Sequence, residues 1–458
     1  MFKKIKERPV HFLFLSFAVG LILGINMSFV SSAEEPAHKY LDYFHQVYQT
    51  LRGEYVEEVD TKKLFYGAIQ GMIAALDDPF SRFLDEKAYD ELKEVTTGRF
   101  VGVGIEITVQ DGNIIVISPI DDSPAMKAGI ISGDIITTVD GSEIKGKNLP
   151  DIVNMIKGKP KSKVALRVKR EGFAEPIDFE LERLPIKIRN VDYSMISGTD
   201  IGYLKIKNFD SKTAQDTSDA IKSLKKEGAA KYIVDLRYNP GGLLTSAVEL
   251  SGLFIDKGKV IVSTRGRAGV ENERVFTSEN QPLSTDELIV LVNKGSASAS
   301  EIFAGAIHDN KRGKLLGEKT FGKGSVQKTY QLDENIGIAV TIAKYYTPSG
   351  EMIHKKGIMP DYVIEQEKIT PKDLEAIKNI NTNKLMDKFA GTAKEYNDDA
   401  KKAFYEYLKN NNIDISQRTA DSLLKERLLI YKKRPAYDLE FDRQLAGAVD
   451  ILKKQVKQ

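Results

Sequence analysis

LIVLVNKGSASASEIFAGAIHD, residues 288–309, holds a strand, a turn and a helix in one line. Leu288 to Val292 is an apolar run of strand length. Asn293 to Ser298 is a turn of small and polar residues. From Ala299, the apolar residues Ile302, Phe303, Ala306 and Ile307 recur at helical spacing, predicting a helix to Asp309. The same alternation precedes it. Tyr203 to Ile206 reads as a strand, Thr213 to Glu227 as an amphipathic helix, and Tyr232 to Leu236 as a buried strand. A glycine turn and a helix from Leu244 to Phe254 follow. Strands alternating with helices predict an α/β layering with some parallel pairing.

Outward from this core the texture changes. Short β-type runs at Gly104 to Val109, Ile114 to Ile117, Ile135 to Val139 and Val164 to Val168 are separated by Gly, Pro, Asp and Ser turns. Residues 36–97 read as helical, with a break at Asp78-Pro79 and a resumed pattern from Ser81 to Val95. After about Glu365 the chain is polar and helical. The expected fold class is α/β (α+β) and multidomain: a helical region at 36–97, a small mixed module at 98–186, a mixed-sheet core at 187–365 and a helical region at 366–458.

Lys plus Arg number 67 against 65 Asp plus Glu, so the net charge near +2 points to no nucleic-acid partner. The chain has no cysteine, which excludes disulfides, a Cys nucleophile and thiolate metal sites. Its five histidines form no HExxH or similar spacing, so no metal and no cofactor is expected. Lys3, Lys4, Lys6 and Arg8 precede an apolar stretch from Val10 to about Val30, followed by Ser31-Ser32-Ala33. Residues 1–33 therefore read as a signal peptide or an uncleaved membrane anchor. Both place the rest of the chain outside the cytoplasm, in the periplasm, cell envelope or medium, with membrane attachment if the segment is retained.

Three segments carry candidate chemistry. GSASASE, 295–301, puts small residues at a strand-to-helix turn, where a nucleophile is uncrowded and helix amides favour an oxyanion. Ser296, Ser298 and Ser300 compete there, and Ser298 with Glu301 also satisfies a capping box that needs no catalysis. GEKTFGKGSVQ, 317–327, holds Lys323 between two glycines with Gln327 four residues on. A lysine is protonated at neutral pH, but burial disfavours its charge and can turn it into a base. DLRYNPGG, 235–242, follows a strand and exposes the Gly241 and Gly242 amides, which could donate to an oxyanion together with Ala299.

A fourth segment, SPAMKAGIISGDIITTVDG at 123–141, encodes a Ser-capped, Pro-started short helix, a glycine stop and a strand. Upstream, FVGVGI at 100–105 leaves backbone amides approachable beside a strand edge, as capture of a peptide terminus requires. These residues resemble a PDZ domain. The resemblance implies peptide binding at Phe100, Val101, Gly102, Val103 and Gly104.

The three chemical segments together resemble the carboxy-terminal processing, or tail-specific, proteases. That family pattern has a serine in a small-residue run, a lysine 25 residues later and a glutamine four beyond. It falls here on Ser298, Lys323 and Gln327 and selects Ser298 over its neighbours. IGYLKIKNF at 201–209 and YYTPSGEMIHKKGIMPD at 345–361 extend the resemblance. It implies a serine endopeptidase independent of ATP and metal, with Ser298 as nucleophile, Lys323 as general base and Gln327 positioning the amine. Substrates would be extended or unfolded polypeptides, often cut near their C-termini, with a homodimer or regulatory partner possible. A late basic residue of the PDZ module, among Arg167, Lys169 and Arg170, would support the active state.

Two rivals remain. A Ser-His mechanism would use His308, about 15 Å from Ser298 along the same helix, or His354, which has no evident acid partner. A non-catalytic envelope scaffold would bind peptides through the PDZ module and cut nothing.

Overall fold

The computed structural model describes residues 37–110, 112–120, 123–187, 189–268, 273–390, 395–429 and 436–454. The expected signal or anchor at 1–33 lies outside them. Among the described residues no helix is long and apolar enough to cross a membrane. The chain divides into two units, Met1–Ala75 and Leu76–Gln458.

The first unit holds α1 (Ala37–Glu54) and α2 (Thr61–Ala74). Asp60 caps α2 by accepting from the Lys63 amide at 3.0 Å. Phe65 packs on Phe44 and Tyr48, whereas Tyr40, Leu41, Tyr43 and Val47 stay exposed.

The second unit opens with β1 (Arg82–Leu84) and α3 (Glu86–Thr97). β1 corrects the expectation of resumed helix from Ser81. Residues 82–84 pair antiparallel with 337–339, and the Thr341 amide donates to the Ser81 hydroxyl. Phe83 and Leu84 are buried there. A sheet edge that needs a partner overrides local helical spacing. Asp85 caps α3, and Gly98 ends it in the left-handed region.

The module that follows comprises β2 (Arg99–Gly102), β3 (Ile105–Gln110), β4 (Asn113–Pro119), α4 (Pro124–Ala128), β5 (Ile135–Val139), β6 (Ser142–Glu143), α5 (Leu149–Ile156), β7 (Lys163–Lys169), β8 (Ile177–Glu182) and β9 (Leu184–Lys187). β3 to β5, β7 and β8 form one antiparallel sheet in the order 3-4-5-7-8, with β6 on β5. Alternation along β7 sends Val164, Leu166 and Val168 inward to meet Val116, Val139 and Ile152. β2 pairs with β9. Among the described residues β3 has no second strand partner and is an edge of that sheet.

The core contains β10 (Val191–Met195), β11 (Ile201–Ile206), α6 (Thr213–Lys226), β12 (Lys231–Asp235), α7 (Leu244–Ser251), β13 (Val260–Gly266), β14 (Arg274–Thr277), β15 (Glu287–Val292), α8 (Ala299–Asp309), β16 (Lys314–Gly317), β17 (Ser325–Asp333), β18 (Ile336–Tyr346) and β19 (Tyr362–Val363). One sheet runs 10-11-12-15-16-19 and is parallel except for β10. Its middle strands are apolar on both faces because both are covered. α6, α7 and α8 contribute to the hydrophobic cluster on one side. On the other, Tyr203, Ile233, Leu291 and Leu316 meet Leu445, Ala448, Val449 and Leu452 of α13 (Arg443–Lys454). A second, antiparallel sheet runs 1-18-13-14, with β17 also on β18. Between the core and α13, α9 (Pro371–Thr382), α10 (Leu385–Ala390), α11 (Asp398–Asn410) and α12 (Gln417–Leu429) enclose a cluster centred on Phe404, Leu408 and Leu424.

Candidate active site

β12 and β15 are parallel neighbours, so the loops leaving their carboxyl ends meet. This is where open α/β sheets place their sites. The 236–242 loop and the 293–298 turn are joined directly. The Ser296 hydroxyl donates to the Leu236 carbonyl at 2.8 Å and the Ser300 hydroxyl to the Asn239 carbonyl at 2.9 Å. Both hydroxyls are thus committed to holding the loops together. Ser298 is the one serine of the three that lines an open cleft of about 820 Å³. Its backbone has φ +55° and ψ −113°, near the first central position of a type II′ turn, ordinarily taken by glycine. An ordinary N-cap is extended instead. Strain of this kind costs on the order of 1–3 kcal/mol and collects at functional sites.

Of the three expected oxyanion donors, Gly241 and Gly242 line the cleft with Ser298, and Ala299 follows Ser298 in the chain. The Gly241 amide donates to Asn239 Oδ1 at 2.9 Å, so it is already engaged. Ala299 opens α8 and has no intrahelical acceptor. The Gly242 amide donates to nothing among the described residues. Gly241 leaves no room for a side chain beside Ser298. A Cβ there would lie 2.7 Å from the Ala297 carbonyl, 2.8 Å from Ser298 Cβ and 2.9 Å from the Ala299 nitrogen, at φ +106°. Gly241→Ala should therefore cover the Ala299 amide and lower kcat by about 10²–10³, the effect of losing one oxyanion donor. Steady-state rates on an unstructured polypeptide read this, and a kcat within threefold of wild type would refute it.

Glu301, expected as a helix cap, does more. Its carboxylate is fully buried. Oε1 accepts from the Thr320 hydroxyl at 2.6 Å and the Gly322 amide at 2.7 Å. Oε2 accepts from the Ser298 amide at 2.9 Å and the Lys323 amide at 2.8 Å. One oxygen thus holds both backbones, and the two amide nitrogens lie within about 6 Å of each other. The Phe321 amide adds a bond to the Ser296 carbonyl at 3.0 Å. Burial pushes the Glu301 carboxyl up, against the four donors that favour its ionised form.

Lys323 lines the same cleft, with its amine 5.1 Å above the Phe80 ring. Burial first, then the Arg82 charge, lowers its pKa below the ordinary lysine value, while Glu301 opposes them. Gln327 also lines the cleft. Its amide nitrogen donates to the Ser325 and Thr341 hydroxyls at 2.8 and 3.1 Å, and no hydrogen bond among the described residues joins it to Lys323. No histidine lines the cleft among the described residues. His308 is exposed and bonded to Asp309.

The DLRYNPGG loop has a support that its motif does not announce. Arg237 is bonded to Asp235, to Asp442 and to Gln444, all largely buried. Burial works against its charge, but the two carboxylates more than offset this and hold its pKa up.

The expected peptide-binding residues surround a separate groove. Phe100, Gly102, Val103 and Gly104 line it with Ile105 and Ile107 of β3 and Val153, Ile156 and Lys157 at α5; Val101 does not. A peptide there could extend the free edge of β3. Gly104 has φ +76°, and a Cβ would strike Ser123 Cβ at 2.3 Å. Lys157 sits over Phe100 and is bonded to Glu94 of α3 at 2.6 Å. Among the late basic residues, Arg167 pairs with Asp178 on the exposed face, whereas Arg170 pairs with the buried Asp134 and the Gly129 carbonyl.

The family models for peptidase family S41, PDZ domain and activating protease CtpB N-terminal domain match residues 200–364, 115–170 and 26–88. The chain is 36% identical over 431 residues to the carboxy-terminal processing protease CtpA of Bacillus subtilis, covering 91% of each. It is 40% identical over 359 residues to the carboxy-terminal-processing protease of Bartonella bacilliformis, covering 76% of this chain and 82% of that one. Among solved structures it is similar to the photosystem II D1 C-terminal processing protease, at 34% identity and TM-score 0.42, covering 73% of this chain and 90% of that one.

Proposed function

Because this chain belongs to the carboxy-terminal processing proteases of peptidase family S41, we propose that it is a serine endopeptidase in which Ser298 attacks the scissile carbonyl and Lys323 is the general base. The observation that carries this reading is the shared cleft: Ser298 and Lys323 both line it, and one buried carboxylate binds both their amides.

In this reading the neutral Lys323 amine takes the Ser298 proton as the hydroxyl adds to the carbonyl. The Gly242 and Ala299 amides receive the oxyanion, and the protonated lysine returns its proton to the leaving amine. Gln327 shapes the wall beside the amine. Extended or unfolded polypeptides are the substrates. Their termini engage the PDZ groove at Phe100, Gly102, Val103 and Gly104, with β3 as the pairing edge. The basic start, apolar stretch and Ser31-Ser32-Ala33 of the sequence support a location outside the cytoplasm. The exposed apolar side chains of α1 support contact with a second copy or a partner.

Wild type should digest a casein-like substrate and Ser298→Ala should not. Equal digestion by both would refute the serine reading, and digestion by neither would favour a peptide-binding scaffold. Since only the uncharged amine is a base, kcat/KM should rise with pH through the lowered Lys323 pKa. Arg82→Gln removes a positive charge that disfavours protonation, so the rising limb should move to higher pH. A pH–rate series with an unmoved limb would refute that assignment.

A further inference from the structure

The cleft has a one-sided charge. Arg82, Arg274 and Lys328 line it beside the Lys323 amine, and no Asp or Glu lines it among the described residues. None of the four forms an ion pair among the described residues. Arg82 and Arg274 are both exposed.

Sheet register explains their placement. Arg82 of β1 and Thr329 of β17 both pair with Ala339 of β18. Arg274 of β14 pairs with Thr264 of β13, which pairs with Tyr345 of β18. Directly paired residues share a face. The β17–β18 pairing slips by one residue between Thr341 and Ala343, so alternation does not carry across β18, and it is the cleft lining that groups Ala339, Ala343 and Tyr345. All of these residues line the cleft. The cleft wall therefore carries two cross-strand rows, each bearing an arginine. The rows are six residues apart on β18, about 20 Å at strand rise, which matches about six residues of extended substrate. Between them lie apolar side chains, including Val326 and Ile342.

We infer that this cleft selects polypeptides bearing a carboxylate within about three residues of the scissile bond, with Arg82 and Arg274 as specificity determinants on opposite sides of it. The inference rests on the serine-protease reading of the same cleft. Two unpaired guanidiniums on low-dielectric walls focus a positive potential. They would favour an acidic segment and repel a basic one. The carboxylate can come from an Asp or Glu side chain or from the end of the substrate chain.

The test uses the full chain and peptides with a fixed apolar centre. Each carries one Glu, Gln or Lys at a single position up to three residues either side of the cut, as free acid and as C-terminal amide. Cleavage is read by mass spectrometry as kcat/KM. Glu peptides should exceed Gln peptides about fivefold, the upper range for an exposed pair. The ratio should shrink at high salt. Arg274→Gln should bring it to about one on one side of the bond, and Arg82→Gln on the other. Taking ratios within each variant cancels any effect on the lysine. A gain confined to free acids would identify the chain terminus as the carboxylate read. Equal Glu and Gln rates, with free acids no faster than amides and with Ser298→Ala inert, would overturn the inference and leave the serine reading standing. A preference that survives both arginine substitutions would overturn the assignment. A wild type that cuts no peptide, where all are unstructured, would overturn both readings.

Discussion

Lys323→Met is expected to slow cleavage of an unstructured substrate by about 10²–10⁴, the usual contribution of a positioned general base. The folded state should lose little. Burial already disfavours the ammonium form, so replacing the amine by a thioether of similar length removes a desolvation penalty rather than a favourable bond. The Lys323 side chain forms no salt bridge among the described residues, and its amide, which binds Glu301, survives the substitution. The combined outcome is therefore distinctive: kcat collapses, KM changes little and the thermal midpoint holds or rises. A variant with normal kcat would refute the proposed base. A variant that unfolds would show that the amine is a structural element.

The second large effect is expected at Glu301. Its two oxygens accept four hydrogen bonds, which is the full acceptor capacity of a carboxylate. Glu301→Gln keeps the shape but turns one oxygen into a donor. If the new NH₂ faces the Thr320 side, the hydroxyl can rotate but the Gly322 amide loses its acceptor. If it faces the other side, the Ser298 and Lys323 amides both do. One or two unpaired buried donors cost about 2–4 kcal/mol in all. That is a large part of an ordinary domain's margin of about 5–15 kcal/mol. The loops bearing Ser298 and Lys323 would also lose their shared anchor, and misplacement by about 1 Å at a reacting centre can cost on the order of 10² in rate. Glu301→Gln should thus lower both the unfolding midpoint and kcat. A stable variant with unchanged kcat would show that the clamp is dispensable.

The parallel sheet and the loops of the candidate site were legible in the sequence because β12 and β15 are buried on both faces. Such strands appear as unbroken apolar runs, and the turns after them stand out by contrast. The helix Ala299–Asp309 was legible to its ends. The second sheet was not. β17 alternates weakly and is largely exposed along its outer half, and β1 has three residues inside a helical pattern. Their identity comes from pairing with β18, which local spacing cannot express. Glu301 was visible as a residue type but its role was hidden, since a capping box accounts for it without any reference to residues 320–323. Arg82 lies more than two hundred residues before Lys323 in the sequence, and its effect on the amine exists only in the folded cleft. For Gly241 the motif could show neither that its amide is taken by Asn239 nor how little room a Cβ would find beside Ser298.

The Arg237–Asp442 bond joins residues 205 positions apart. Synthesis runs from the amino end, so the loop bearing Gly241 and Gly242 is made long before the carboxylate that steadies it. Until that later segment arrives and α13 closes over the sheet, the guanidinium has only Asp235 beside it and the glycine turn lacks its brace. The support of this loop is therefore complete only once residues 442–444 have joined it.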